Sequence, residues 1–192
     1  MKSSLAAFLD NFSILTPVER ALIVDRSNVQ EFKRGDVLLR EGEVADRCFL
    51  VLQGCVREFF MKDGDEKTVA FYTEYEPVNS FTSTSTGQPS TTSFICAEDC
   101  VLTVGHQSLE AEMCALIPRL ESVIRTEVER ETAKAREELT RFVSSSAEER
   151  YEYLIKARLG LMNRVPQHQI ASYLGVTAET LSRIRKRLLK KA

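Results

Sequence analysis

Apolar and polar positions repeat with two different periods along the chain. Between Leu5 and Ile23 apolar residues recur at helical spacing, and Thr16 followed by Pro17 is typical of a helix N-cap and its first residue. From Val29 the period becomes strand-like, and β-branched and aromatic residues are enriched, as in CFLVLQGCVREFF. The pattern predicts two short helices followed by short strands that are joined by tight turns.

Turn residues divide the strand-like region. Asp63-Gly64, between FFM and TVAFY, is the strongest hairpin signal in the chain, and two further strands, TTSFICA and CVLTVG, bracket Glu98-Asp99. Several short strands at regular spacing are typical of a sandwich or a jelly-roll barrel. The segment NSFTSTSTGQPSTTS is rich in hydroxyl residues, and it forms either a polar surface loop or the lining of a pocket.

A helical pattern returns from about Gln107 to Phe142, where apolar residues are spaced by threes and fours except for one longer step across Glu131. We predict one long helix of roughly 36 residues, which at about 1.5 Å per residue is longer than this chain can cover. A parallel homodimer would cover its apolar stripe. The alternative is that Pro118 splits the segment and that its second half packs on its own chain.

Two more short helices are predicted near the C-terminus, after a stop at 144–149 and an N-capped helix through about Leu159. Gly175 ends the first of the two, because a sharp reversal needs a residue that can adopt positive φ, and Thr177 caps the second. Their apolar positions, which we expect to face inward, are Ile170, Leu174, Val176, Leu181, Ile184 and Leu188.

The opposite face of the second helix carries residues that can read DNA. Arg183 can donate a bidentate pair to guanine, Glu179 can accept from a cytosine amino group, and Ser182 can contact either kind of base edge. The further expected DNA contacts are Lys186 on the same face, Thr177 and Thr180 at the helix start, and Gln167 and His168 on the first helix. The alternative is a helix pair that never touches DNA, in which Glu179 only favours the positive helix N-terminus.

Charge is distributed unevenly along the chain. The net charge is −2, but residues 163–192 carry +6 and residues 1–162 carry −8. Such an asymmetry indicates a nucleic-acid or other acidic partner for the basic segment. Lys190 and Lys191 could instead complement a helix C-terminus.

Composition excludes several classes of protein. With 192 residues, 43% of them hydrophobic, the chain is an ordinary globular one of one large domain or two modest ones. No apolar run would cross a bilayer, and Asp10 and Asn11 interrupt the opening before a signal sequence could form, so we expect no membrane partner and a cytoplasmic protein. The five cysteines are odd in number and include no CxxC pair, so we expect them to be reduced and mostly buried.

An enzyme is not expected. The two histidines, His106 and His168, cannot supply a metal site of the cupin type, and no nucleophile elbow, P-loop or dinucleotide fingerprint occurs. Cys96 and Cys100 could be a redox pair, but the sequence places no basic residue beside them to lower a thiol pKa. We therefore predict no catalytic residue, no metal and no cofactor.

From about Ser13 to Leu189 the chain resembles the Crp/Fnr family of bacterial transcription regulators. The resemblance is carried by F32-KRGDVLLREGEVADRCFLVLQGCVREFF, with its spacing of Gly35, Gly42 and Gly54, by Asp63-Gly64, and by GVTAETLSRIRK. It implies an α+β protein with an N-terminal jelly-roll β-barrel of the cyclic-nucleotide-binding type that acts as sensor (1–108), a dimerisation helix (109–143) and a C-terminal helix-turn-helix (144–192). Members of the family usually carry a β-hairpin wing beside the helix-turn-helix. Here only GLMNRV separates the preceding helix from Pro166, so we expect no wing.

The resemblance also implies site residues. The family's base-reading Glu and Arg fall on Glu179 and Arg183, Ser182 matches the reading serine of the oxygen-responsive branch, and a palindrome with TGA half-sites is expected. Family members that bind cyclic nucleotides hold the ribose with Gly-Glu and the phosphate with Arg and Ser or Thr. In this sequence the corresponding positions fall near Asn79-Ser80 and Ser90-Thr91, so the charged Glu and Arg side chains that would hold the ribose and the phosphate are missing. Without the Arg side chain, binding of a phosphate loses a charge-assisted bidentate contact of about 1.5–3 kcal/mol. We therefore predict weak or no binding of cyclic AMP.

Taken together, these features predict a homodimeric regulator that binds a palindrome in double-stranded DNA, with a barrel that senses an unidentified small effector. The hydroxyl-rich segment favours neutral polar ligands over anions. RNA polymerase is a further partner if the protein is an activator. Two alternatives stay open: a cyclic-nucleotide-responsive regulator with a non-standard pocket, and a regulator that needs no effector.

Overall fold

The computed structural model describes residues 2–190, with Gln107 in its backbone alone. Met1, Lys191 and Ala192 lie outside the described residues, so Lys191 of the predicted basic tail is not placed. The helices are α1 (Lys2–Leu9), α2 (Pro17–Arg26), α3 (Phe81–Thr86), α4 (Gln107–Leu116), α5 (Pro118–Ser144), α6 (Ala147–Ala157), α7 (Gln167–Tyr173) and α8 (Ala178–Leu189), with a 3₁₀ turn at Leu161–Asn163. The strands are β1 (Asn28–Phe32), β2 (Val37–Leu39), β3 (Arg47–Gln53), β4 (Val56–Lys62), β5 (Asp65–Tyr72), β6 (Pro77–Val78), β7 (Ser93–Cys96) and β8 (Cys100–His106).

The strands form two four-stranded antiparallel sheets, in the orders β1-β8-β3-β6 and β2-β7-β4-β5. The predicted α+β class with a β-sandwich is therefore confirmed. The hairpin at Asp63-Gly64 is also confirmed, since both residues have positive φ, 55° and 84°, between the paired strands β4 and β5. The two strands that bracket Glu98-Asp99 do not pair with each other, because β7 belongs to one sheet and β8 to the other.

The sandwich core lies between the two sheets. Its most deeply buried side chains include Val51, Val56 and Leu102, each fully enclosed. Gly54, in the turn between β3 and β4, has a φ of +103° and passes so close to the β7–β8 connection that a Cβ there would lie 2.7 Å from the Asp99 carbonyl oxygen. No other residue type fits this position.

The two predicted N-terminal helices are present. Thr16 caps α2 in a capping box: its hydroxyl accepts from the Glu19 backbone N–H at 3.3 Å, and Glu19 accepts from the Thr16 N–H at 2.7 Å. Apolar residues of α1 and α2, such as Leu5 and Ile23, share a buried cluster with Ile117 at the α4–α5 junction. The N-terminal helices thus pack against the start of α5.

The single long helix predicted from Gln107 to Phe142 is wrong, because the segment is broken between α4 and α5. Ile117 has a φ of −130° and a ψ of 83°, outside the helical region, and Pro118 is the first residue of α5. The physical reason is that proline clashes with a helical conformation of the preceding residue and lacks an N–H to continue the first helix. The second helix still contains 27 residues, about 40 Å.

The C-terminal helices follow the predicted pattern. Ser146 caps α6 in a second capping box with Glu149, at Oγ–N 3.3 Å and N–Oε2 2.8 Å. Gly175 has a φ of +70° between α7 and α8, and Thr177 caps α8 by accepting from the Thr180 N–H at 3.2 Å. Of the apolar positions that were expected to face inward, four are buried and two partly buried: Ile170, Leu174, Leu181 and Ile184, then Val176 and Leu188.

We predict that Gly54→Ala destabilises the sandwich by about 2–4 kcal/mol, because the new methyl group adds a clash with backbone to the cost of positive φ. The measurement is urea unfolding followed by circular dichroism. Gly64→Ala is the matched control, since Gly64 also has positive φ, +84°, but open space where its Cβ would stand. It should cost only about 1–2 kcal/mol. Equal costs for the two variants would contradict the steric argument.

Candidate ligand cavity and nucleic-acid interface

A cavity of about 300 Å³ opens where the hydroxyl-rich segment covers strands β4 and β5. It brings together both predicted pairs, Asn79-Ser80 and Ser90-Thr91, so the segment lines a pocket rather than forming only a surface loop. The lining residues are Glu58, Tyr72, Asn79, Ser80, Phe81, Thr82, Ser83, Pro89, Ser90, Thr91 and Thr92.

Hydroxyl groups hold the rim of the cavity in place. The Ser80 and Ser90 hydroxyls lie 3.1 Å apart, and Ser83, which is 1% exposed, donates to the Gln88 carbonyl at 2.6 Å and accepts from the Ala45 N–H at 2.8 Å. These bonds also fix the short helix α3. Serine and threonine are poor helix formers, so tertiary bonds and not local propensity explain why the sequence pattern missed it.

Sequence reasoning missed Glu58 of β4 and Tyr72 of β5, which also line the cavity. Tyr72 donates its hydroxyl to Glu58 Oε2 at 2.6 Å, and Thr92 donates its hydroxyl to Glu58 Oε1 at 2.8 Å. Burial and the neighbouring Glu58 carboxylate raise the pKa of Tyr72, so it remains a donor. The available signal was the register of β4, in which Glu58 follows the buried Val56 by two residues and so belongs to the inward-facing set.

The opposite face of the same two strands carries the C-terminal helices. Arg57 is 2% exposed, pairs with Glu66, and stacks 4.3 Å from the Phe59 ring. Phe71 is 2% exposed and shares a core with α6, α7 and α8, where its ring lies 5.6 Å from that of Tyr173. Helix α7 therefore packs directly on strand β5.

Polar contacts reinforce this packing. Ser172 of α7 accepts from the Thr68 N–H at 2.9 Å and donates to the Glu66 carbonyl at 3.1 Å. Arg158, which follows α6, donates to the Phe71 carbonyl at 2.6 Å and contacts Glu76 at 3.2 Å. The edge strand β5 thus gains main-chain hydrogen bonds from the C-terminal part of the chain.

Arg164 forms the most complete ion-pair cluster between the sandwich and the C-terminal helices. Its guanidinium contacts both carboxylate oxygens of Glu74 at 2.8 and 2.9 Å, and Glu98 at 2.6 Å. Burial raises the pKa of Glu74, but the hydrogen bonds from Arg164 and from backbone N–H groups outweigh it and hold this pKa below its usual value. The same carboxylates raise the pKa of Arg164.

The predicted base-reading residues share the exposed face of α8. Glu179, Ser182, Arg183 and Lys186 are all exposed, whereas Leu181 and Ile184 on the inner face are 1% and 3% exposed. Hydrogen bonds from its own N–H and from Thr177, together with nearby Arg183, hold the pKa of Glu179 below its usual value.

The predicted phosphate anchors lie at the starts of the two helices. Gln167 and His168 are exposed in the first turn of α7, and Thr177 is exposed at the N-cap of α8, with Thr180 partly buried beside it. Arg187, in the basic tail, contacts Glu148 of α6 at 2.6 Å. The exposed basic side chains of α8 therefore differ in how freely they can reach a phosphate.

The described residues contain no group of His, Cys, Asp and Glu side chains that could hold a metal ion. All five cysteines are free thiols; Cys55, Cys96 and Cys100 are buried, Cys48 and Cys114 partly so. Burial raises the pKa of Cys55 to about 12, which disfavours thiolate chemistry there. His106 is exposed, with Nδ1 3.2 Å from the Asp46 carbonyl oxygen. In residues 2–190, no helix has the length and apolar character needed to span a membrane.

This architecture, a β-sandwich with a covered cavity followed by a long helix and a helix pair, can be compared with known proteins. Residues 29–112 match the family profile of the cyclic nucleotide-binding domain, which is less than half of the chain. No curated protein sequence matches. The sandwich is thus of the cyclic-nucleotide-binding type.

Solved structures share the fold over nearly the whole chain. The global regulator CLP of Xanthomonas campestris, described as responsive to c-di-GMP, is 14% identical with a TM-score of 0.69, covering 92% of this chain and 93% of that one. FixK2 of Bradyrhizobium japonicum is 17% identical with a TM-score of 0.68, covering 86% and 85%. The Catabolite Activator Protein of Thermus thermophilus is 22% identical with a TM-score of 0.57, covering 94% and 86%. At these identities the likeness shows the fold.

We predict that Glu74→Gln weakens the dependence of stability on acidic pH. The folded pKa of Glu74 is lowered, so its ion pair contributes to the free energy of unfolding above the ordinary pKa of 4.5 and is lost as the pH falls through the lower folded value. Urea unfolding at several pH values below about 5 should therefore show that the free energy of unfolding falls less steeply with decreasing pH in the variant than in the wild type.

The Arg164→Met background is the control. Glu74 then keeps only its backbone N–H donors, such as that of Gly54, so Glu74→Gln should change the slope less than it does in the wild type. An unchanged acid slope in the single variant Glu74→Gln would show that the ion pair does not lower the pKa of Glu74.

Proposed function

We propose that this protein is a DNA-binding transcriptional regulator of the Crp/Fnr type, which acts as a homodimer on a palindromic operator and senses a small effector in the sandwich cavity. The observation that carries the proposal is the exposed face of α8, where Glu179, Ser182 and Arg183 stand opposite the buried Leu181 and Ile184. An α-helix with such a face fits the major groove.

The comparisons support the same function. The three similar structures are named as a catabolite activator protein, FixK2 and a global regulator, and each is similar to this chain over at least 85% of its own length. Each likeness includes the C-terminal helices as well as the sandwich, because the sandwich alone does not account for that coverage. Regulation of transcription is therefore the function that the whole architecture favours.

In the proposed complex the residues divide by role. Arg183 reads guanine, Glu179 accepts from cytosine, and Ser182 contacts a neighbouring base edge. The phosphate contacts are made by Gln167, His168, Thr177, Thr180 and Lys186. Thr177 fits such a role because it is exposed at the N-terminus of α8, where free N–H groups attract anions.

The proposed dimer is formed by the exposed part of α5. Val128, Leu139 and Val143 are 39%, 64% and 78% exposed in one chain, although each is apolar. A second copy of α5 would bury them in a parallel helix pair and would set the two α8 helices on successive turns of DNA. RNA polymerase is a further partner if the regulator is an activator.

The cavity is the proposed effector site because of where it lies. Glu58 and Tyr72 line it, while their neighbours Arg57 and Phe71 face the opposite side of the same strands, under the C-terminal helices. A ligand that shifts β4 or β5 therefore acts on the surface that holds α7. A regulator that needs no effector is the second candidate, favoured by the Ser80–Ser90 and Thr84–Asn79 contacts that already hold the rim of the cavity together within one chain.

We predict that the purified protein enriches a palindrome from random duplex DNA and that Arg183→Ala weakens the enrichment. Losing a bidentate base contact should weaken binding to the selected site about five- to a hundred-fold and relax specificity at one position of each half-site. Arg34→Ala is the matched control, because Arg34 is an exposed arginine on the sandwich. A selected site that Arg183→Ala binds as tightly as the wild type would contradict the assigned role.

We also predict that the salt dependence of DNA binding is set by Arg185, Lys186 and Lys190 more than by Arg187. Each lost phosphate contact should reduce the slope of log K against log salt by about 0.9. Because Arg187 is held by Glu148, neutralising it alone should change the slope less than neutralising Lys186, which is exposed and forms no ion pair in residues 2–190. Fluorescence anisotropy at several salt concentrations measures both slopes, and equal slopes for all variants would show that the footprint lies elsewhere.

A further inference from the structure

We propose that the sandwich cavity selects positively charged small molecules, with Glu58 as the partner of a ligand ammonium group, and that it rejects phosphate-bearing anions. The inference rests on the proposed function in one respect, which is that the cavity is where the effector binds. It goes beyond that function by giving the chemical class of the ligand, a small polar amine.

The first step is the charge of the lining. Glu58 is the one carboxylic acid among the lining residues that the structure describes, and none of these residues is Lys, Arg or His. The remaining polar groups are hydroxyls, the Asn79 amide and backbone. The cavity therefore has a negative charge and no fixed positive one.

The second step is that nothing within residues 2–190 neutralises Glu58. Its two hydrogen bonds come from uncharged donors, the Tyr72 and Thr92 hydroxyls at 2.6 and 2.8 Å, and it takes part in no ion pair there. An ionised carboxylate offers about four acceptor sites, so two remain for a ligand. A buried or half-buried charge without a counter-ion favours binding of a cation.

The third step is the field from neighbouring elements. Glu131 of α5 and Glu76 also act on the Tyr72 phenol in the same direction as Glu58. Both of those carboxylates contact Lys134, and Glu76 also contacts Arg158, so their charges are compensated. Glu58 is thus the uncompensated acid that faces the cavity.

The fourth step is the size of the cavity and the hydroxyl groups that surround it. A volume of about 300 Å³ is at the lower end for ligand pockets, so the ligand is small. Ser80, Ser90 and Thr91 lie around the same space and can accept or donate to hydroxyl groups of a ligand. A phosphate placed there would meet a carboxylate and would find no guanidinium.

The experiment measures the charge preference of the cavity directly. Thr91→Cys places a thiol on the cavity lining at an exposed position, and Ser85→Cys places one on the exposed side of α3, away from the lining. Each variant is labelled with cationic aminoethyl methanethiosulfonate and, separately, with the anionic sulfonatoethyl reagent. Mass spectrometry of the peptide that contains position 91 or 85 separates these labels from those on the five native cysteines.

We expect the ratio of cationic to anionic labelling rates to be about tenfold higher at position 91 than at position 85. The reason is that the negative charge of Glu58 lies close to position 91, where it attracts the cationic reagent and repels the anionic one. Adding Glu58→Gln should bring the two ratios together, whereas Glu58→Asp should preserve the preference. The carbonyl oxygen of Gln can still accept from one of the two hydroxyls, and its NH2 group can donate to the oxygen of the other. Melting temperatures check that each variant folds.

Three outcomes would overturn the proposal. They are equal ratios at the two positions, a cationic preference that Glu58→Gln leaves unchanged, and micromolar binding of cyclic AMP to the wild type by calorimetry. Labelling is carried out without DNA, so its result does not depend on whether the protein binds an operator. Failure to enrich a palindrome would overturn the proposed function and leave the charge preference of the cavity standing.

Discussion

The alternation of side chains along the β4–β5 hairpin is the constraint on which the rest of the structure depends. Successive residues of a strand point to opposite faces, so Glu58 and Tyr72 line the cavity. Phe71 packs in the core of the C-terminal helices, and Arg57, which is paired with Phe71 across the strands, is buried on that same face. A shift of one residue in the register of either strand would exchange these two sets. The turn at Asp63-Gly64 sets the register of the nearer part of the hairpin, and a bulge between Glu58 and Phe59 resets it for the residues that line the cavity. The cavity and the helix pair are therefore positioned by the same two strands.

The contact between this hairpin and α7 combines firm packing with incomplete polar pairing. Arg158 donates to the Phe71 carbonyl of β5 and Arg164 pairs with Glu74 just beyond β5, so both arginines reinforce the packing beside α7. However, Arg57 Nε and Thr68 Oγ1 are buried without a hydrogen-bond partner in the described chain. Unpaired buried polar atoms reduce the stability of an interface. In the proposed regulator, a ligand shifts the helix pair only as far as its affinity differs between the docked and released states.

Much of the fold follows from the sequence because local rules agree with the tertiary structure. The capping boxes at Thr16 and Ser146, the turn at Gly175 and the apolar positions of α7 and α8 are all fixed by short-range chemistry. One continuous helix was the prediction and a split at Pro118 only the alternative, because the apolar spacing continues through the break at Ile117.

Some residues of the candidate sites could likewise be predicted from the sequence and others could not. The exposed face of α8 could be predicted, since one helix determines which of its residues share a face. The cavity could be predicted only at Asn79-Ser80 and Ser90-Thr91, which were found through the family resemblance and lie in one segment. Glu58 and Tyr72 come from two other strands, and only the pairing of those strands with the folded segment brings them together.

The break at Pro118 also limits what the long helix can do. Residues before it and the first turns of α5 are anchored on their own chain, as Val123 shows with 7% exposure beside the N-terminal helices. The exposed apolar residues of α5 begin only at Val128 and continue to its end. Any pairing of two chains along α5 is therefore confined to this second part.

That second part of α5 ends on the helix pair. The Phe142 ring lies 3.0 Å from where a Cβ on Gly175 would stand, and Arg150 donates to the carbonyls of both Phe142 and Leu174, at 3.0 and 2.9 Å. Because Gly175 has no side chain, the end of α5 can approach the turn between α7 and α8 this closely. In the proposed dimer, a second chain packed along α5 would meet the helix pair at its turn, and the same few residues would then couple dimer formation to the orientation of α8.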